Sequence, residues 1–282
     1  MKNFVINPVL NKEFKLRFRS FKSYLGILFY LLALGIIIIG FVFIQSLSNS
    51  FGLFKPEESK MMFMLLSMLQ LALILFITPG LTAGVISSER ERQTLNMMLT
   101  TTQSSTSIIL SKLVSAISYL LLLIVASLPL YSFVFLYGGI SPAQMLTTIA
   151  FYVFTIIAFG SLGVLFSTLI RKTIVSMVTA YGLTMFLAGG TAFLTLLLMQ
   201  LGYNYSGNPS NVQHVPFAYF AAMLNPAIAL FGTFEPEIID EITNVTGIEF
   251  PLWAAYLISY TVITAGAIFF SIKKLRPNMK KG

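Results

Sequence analysis

The chain has 282 residues, of which 56% are hydrophobic, 14% aromatic and only 10% charged, with a formal net charge of +8. A soluble domain carries about 25% charged residues, so this composition excludes a soluble enzyme, a nucleic-acid-binding domain, a coiled coil and a disordered chain. There is no cysteine, which excludes disulfides and thiolate chemistry, and the single histidine, His214, excludes a metal site built on several histidines of one chain.

Residues 1–23 come before the first apolar run. Asn7-Pro8 has the form of a helix start, with asparagine as N-cap and proline first in the helix. Leu10, Phe14, Phe18 and Phe21 then recur at helical spacing, while Lys12, Lys15, Arg19 and Lys22 recur on another face. A basic amphipathic helix of this kind lies in the headgroup plane against membrane lipids, as an elbow before the first span.

Crossing the hydrocarbon core takes about 20 apolar residues. Uncharged runs over 24–44 and 61–85 are the first two spans. Residues 113–170 carry no charge at all, too long for one helix, and Gly138-Gly139-Ile140-Ser141-Pro142 divides them into spans over about 113–137 and 146–170. Spans five and six are expected over 173–200 and 250–272. Six spans put both termini on one side, and that side collects 16 of the 18 basic residues. The other side holds only Lys55 and Lys60, with seven of the ten acids. The excess of lysine and arginine places both termini in the cytoplasm.

The loop between spans two and three, residues 87–107, carries four consecutive charges. Ser88 and Glu91 fit a Ser-x-x-Glu capping box. Leu95, Met98 and Leu99 follow as an apolar stripe. The expectation is a short amphipathic helix projecting into the cytoplasm. Its charges Glu89, Arg90, Glu91 and Arg92 and its three apolar knobs would face a partner protein, the bland reading being a solvated connector.

The segment 201–249, between spans five and six, is external in this topology. Its stretch 215–231 is mostly apolar but broken by Asn225-Pro226, and reads as a re-entrant or interfacial hairpin. Acids Glu235, Glu237, Asp240, Glu241 and Glu249 follow as a solvated face. The expected span interiors hold no ionisable acid or base, only groups such as Ser67, Gln70, Ser115, Tyr131 and Thr184, which argues against a proton-coupled pump. Gly182, Gly189 and Gly190 are candidates for close helix contact.

The stretch GLTAGVISSERERQTLNMMLTTTQSSTSIILSKL, residues 80–113, resembles the permease subunits of bacterial type-2 ABC transporters, in which a segment of the form I-S-x-E-x-E-x-x-T-L closes the second span and forms the coupling helix. The elbow helix, six spans, cytoplasmic termini and long external segment agree with that family, so the resemblance covers nearly all of 1–282 as one transmembrane domain. It implies an all-α, polytopic protein of the bacterial cell membrane, working as an exporter subunit. Two such permeases, identical or homologous, would pair with two ABC ATPase subunits. Glu89, Arg90, Glu91, Arg92, Leu95, Met98 and Leu99 would contact the ATPase. The chain contains no G-x-x-x-x-G-K-[ST] phosphate loop. ATP and magnesium would therefore sit on the partner, and no cofactor, metal or catalytic residue is expected here. The alternatives are a membrane-embedded enzyme, or an anchor that recruits a cytoplasmic complex.

Overall fold

A computed structural model of the chain describes residues 18–19, 21–48, 56–95, 104–135, 138, 140–204 and 214–275. Among these the elements are all helical: α1 (Phe21–Ser48), α2 (Pro56–Thr82), α3 (Ser87–Glu91), α4 (Ser105–Phe135), α5 (Pro142–Leu169), α6 (Thr173–Met185), a π turn (Phe186–Gly190), α7 (Thr191–Asn204), α8 (Pro216–Met223), α9 (Pro226–Phe234), α10 (Pro236–Thr246) and α11 (Leu252–Leu275). Six helical stretches among them are long and apolar enough to cross a membrane. Spans one, two, three, four and six are α1, α2, α4, α5 and α11; span five is α6 with the π turn and α7.

The break between spans three and four falls where expected. Gly138 adopts a positive φ of 76°, and the Ser141 side chain accepts from the Gln144 amide, with Pro142 in the first turn. Span three differs from the expectation: its helix begins at Ser105, two turns early, because Ser104 caps it through the Ser107 amide at 3.1 Å. Lys112 therefore lies inside this helix rather than in a loop.

Spans two, three and four form the centre, and spans one, five and six are the least covered. Phe63 of span two meets Tyr131 and Phe234 edge-on, with centroids 5.5 Å apart in each pair. Span six lies on span four through Tyr256 and Tyr260, both fully buried. Their hydroxyls have partners: Tyr256 meets Thr155 at 2.8 Å, and Tyr260 donates to the Leu224 carbonyl at 2.7 Å. Aromatic rings fill the space, and the hydroxyls find acceptors that hydrocarbon cannot supply.

Spans two and four touch closely at Gly163. A Cβ there would stand 2.8 Å from the Thr82 Cβ and 3.3 Å from the Ala83 amide, and nearer still to the Thr82 hydroxyl. Gly163→Ala is expected to destabilise the chain by about 1–3 kcal/mol, the usual range for overpacking. Thr82→Ala in the same chain should restore only part of the loss, because it removes the hydroxyl but keeps the Cβ that stands 2.8 Å away. Melting curves of the two single variants and the double variant in detergent check this.

Of the expected elbow residues, Leu10, Lys12, Phe14 and Lys15 lie outside the described residues. Phe18 is half-buried against Tyr119, with centroids 6.5 Å apart, and the Tyr119 hydroxyl donates to the Ser23 carbonyl at 2.8 Å. Arg19 and Phe21 are exposed.

The segment between spans five and six folds as α8 and α9, bent by 95°, followed by α10. Asn225 makes the bend. Its Oδ1 accepts from the Ala227 and Ile228 amides at 2.8 and 2.9 Å and caps α9. Its Nδ2 donates to the Ala188 carbonyl at 2.6 Å and to the Thr191 hydroxyl at 2.9 Å, which ties the bend to the π turn of span five. Gly189 and Gly190 sit in that π turn. Gly182 and Gly189 face open space rather than the close helix contact expected of them. At the same end of the bundle, Lys60 of span two pairs with Glu235 at 2.8 Å.

Candidate functional site at the loop between spans two and three

The chain leaves span two through a turn over 83–86, enters the short helix α3, and turns again at Arg92 and Gln93. Gln93 takes a positive φ of 59°, which interrupts the helical path, and Thr94 and Leu95 are helical again. The rest of the expected projecting helix lies outside the described residues. The described part of the loop lies back on the ends of the spans.

Three consecutive charged residues each engage a different span. Glu89 accepts from the Lys112 ammonium of span three at 3.2 Å, and that lysine is 3% exposed. Arg90 donates to the Thr168 carbonyl at the end of span four, at 3.1 Å. Glu91 accepts from both the amide and the hydroxyl of Thr173 at the start of span five, at 2.9 and 2.7 Å. The expected capping box between Ser88 and Glu91 is not made, and α3 has no side-chain cap of its own. The helix starts earlier than the box requires, with Ile86 as its N-cap, so the Ser88 amide is already bonded to the Gly84 carbonyl at 3.0 Å, and Glu91 finds partners far away in sequence. The Ile86 and Ser87 amides donate to Ser167 Oγ of span four, at 2.8 and 3.0 Å. Glu91 in turn caps α6, whose N-cap residue Lys172 contributes no side-chain bond. Span four caps the loop, and the loop caps span five.

Leu95 also departs from the expectation of an outward knob. It is 5% exposed and packs with Ile86, Ile108, Ile109, Leu113, Val164 and Leu275, which come from the loop and from spans three, four and six. It lies in the helical turn that resumes at Thr94 after the break at Gln93, with its side chain turned into this cluster. Arg92 is exposed. Met98 and Leu99 lie outside the described residues.

Electrostatics follow from these contacts. The two Thr173 hydrogen bonds hold the Glu91 carboxyl below its ordinary value, with the positive charge of Lys172 adding to the effect. Burial lowers the Arg90 guanidinium, helped by Arg171 nearby, though an arginine stays charged throughout the accessible range. A carboxyl depressed in the folded state adds stability above its unfolded pKa, and that stability is lost as pH falls through the lower folded value. The melting difference between wild type and Glu91→Gln should therefore be constant from neutrality to about pH 5 and shrink below about pH 4. Melts across that range check the sign.

Sequence patterning missed Lys112, Ser167, Thr168 and Thr173. The only local hint is that small hydroxyl residues and charges alternate at the ends of these spans, as in Ser167-Thr168-Leu169-Ile170-Arg171-Lys172-Thr173.

A second feature lies at the depth of the spans. An apolar groove of about 520 Å3 opens between spans two and five, lined by Met68, Leu71, Phe76, Tyr181 and Met185 and closed by Ala227 of α9. The loop is thus a charged hub at one end of an apolar bundle, joined by short bonds to three spans, one of which walls the groove. No protein-family model matches the chain, and no curated protein is significantly similar to it.

Proposed function

We propose that this chain is the membrane-spanning permease subunit of an ATP-driven exporter, moved by separate ATPase subunits that press on the loop at 86–95. The supporting observation is the hub itself: Glu89, Arg90 and Glu91 bond to spans three, four and five in turn, so a displacement of the loop reaches all three at once. A loop that merely connected two spans would have no need of these bonds. The resemblance of residues 80–113 to the coupling segment of type-2 ABC permeases supports the same reading. In this proposal both termini and the hub face the cytoplasm of a bacterial cell. A second permease, identical or homologous, completes the translocation path against the apolar faces left open on spans one and five. The ATPase reads the outward side of the hub, with Arg92 as an exposed charge, and the inward side carries the movement to the spans. The groove between spans two and five suits an apolar or amphiphilic cargo.

The test has two arms. A reporter active only in the cytoplasm should work at Gly282 and near Gln103, and fail near Asn208 and Glu57. Purified from its own host through a tag, the chain should bring down an ATP-hydrolysing partner in a complex of two permeases and two ATPases, and should hydrolyse no ATP without it. A cytoplasmic signal from position 208, or a monomer that transports without any ATPase, would overturn the proposal.

A further inference from the structure

The interior of spans one to four holds a polar nest that the hub does not use. Gln70 of span two is 1% exposed and lines a small cavity with Ser127, Tyr131, Thr148 and Tyr152. Its Nε2 donates to Ser127 Oγ at 3.1 Å. Ser127 dictates that orientation, because its own proton goes to the Ile124 carbonyl at 2.7 Å and its oxygen can only accept. The amide oxygen of Gln70 must therefore point elsewhere, and it has no partner in the protein.

The other hydroxyls around the cavity cannot supply one. Thr148 donates to the Gln144 carbonyl at 2.9 Å. Tyr152 donates to the Ser67 carbonyl at 2.9 Å. The Tyr131 hydroxyl lies 3.5 Å from that of Tyr152 and is the donor there, since the Tyr152 proton is already committed. Behind the residues that line the cavity, two further buried hydroxyls have protons without acceptors: those of Tyr30 in span one and Ser67 in span two. Tyr30 approaches Ser127 and Tyr131 without reaching hydrogen-bond geometry, and Ser67 neighbours Tyr131. The nest thus has one acceptor in want of a donor and two donors in want of an acceptor, out of reach of one another.

We infer that the nest binds one water molecule, which donates to Gln70 Oε1 and accepts from Tyr30 or Ser67, bridging span one to spans two, three and four. Water matches the mixture because it both donates and accepts, and a buried water needs two to four polar partners. The size agrees: the cavity leaves about 10 Å3 for the centre of a water-sized sphere, about one molecule. A cation would meet only neutral oxygens here, with no carboxylate to offset the loss of its hydration at membrane depth.

An experimental structure of the full chain in lipid nanodiscs, at a resolution that shows other buried waters, should carry a peak within hydrogen-bond distance of Gln70 Oε1. An empty cavity in such a structure would overturn the inference. Melting gives an independent readout. Gln70→Met keeps the length of the side chain and removes the acceptor. With a bound water it should lower the melting temperature by several degrees, and Tyr30→Phe should then cost about half as much in the Gln70→Met chain as in wild type. In a dry nest Gln70→Met still loses its bond to Ser127, so the coupling is the readout: additive effects of the two substitutions sink the idea. So does stabilisation by sodium chloride over choline chloride at equal ionic strength, which assigns the site to a cation.

Discussion

Leu95→Asp is expected to abolish transport and also to lower the melting temperature of the isolated chain. The side chain is 5% exposed within a cluster drawn from the loop and spans three, four and six. A carboxylate placed there loses the transfer energy of the leucine and is buried without a counter-charge in the cluster. The expected loss is about 3 kcal/mol or more. Leu95→Met conserves volume and polarity and should cost under about 1.5 kcal/mol. The melt separates two roles for this residue. A leucine that served only as a contact for a partner would leave the isolated chain as stable as wild type when changed to aspartate. Unchanged melting would return Leu95 to an outward role and would remove the hydrophobic seat of the hub from the argument.

The second large effect is expected at Asn225, which is fully buried and makes four hydrogen bonds. Asn225→Leu removes the cap of α9, which contributes about 1 kcal/mol. It also strands the Ala188 carbonyl in a region without water, and a buried group left unsatisfied costs about 1–3 kcal/mol. Together the change should destabilise by about 3 kcal/mol. It should also free the π turn of span five from the bent pair that Tyr260 of span six holds at Leu224. Asn225→Ser separates the two functions, because a serine hydroxyl oxygen can still cap α9 while the amide donor to Ala188 is gone. If the two substitutions melt alike, the bond to Ala188 rather than the cap carries the stability. If Asn225→Ser matches wild type, the link between the bend and the π turn contributes nothing.

Much of the architecture is legible without coordinates. Charge is excluded from a hydrocarbon layer wherever it falls in the chain, so runs of uncharged residues of the right length declare the spans, and all six appear with ends moved by a turn or two. Local stereochemistry declares the breaks. Gly138 to Pro142 ends one helix and starts the next, and Asn225-Pro226 both stops and caps, because each acts on backbone groups within a few residues of itself.

The hub was decided elsewhere. Ser88 and Glu91 have the spacing of a capping box, and in an isolated segment they would be each other's nearest partners. In the folded chain Ser167, 80 residues from Ser87, caps the start of the helix instead, and Thr173, 82 residues from Glu91, takes the carboxylate that the box would have used. Lys112 carries a charge into the helix of span three, where Glu89, 23 residues earlier, meets it. Periodicity predicts an outward face for Leu95, but the break at Gln93 re-aims the helical turn that carries it, and packing buries the residue. Spans follow from a property of single residues, their transfer into hydrocarbon, and so the sequence alone determines them. The joints between spans depend on which buried donors and acceptors meet across 23 to 82 residues of chain. Only the tertiary structure brings those groups within 3 Å or so, the range in which a hydrogen bond forms.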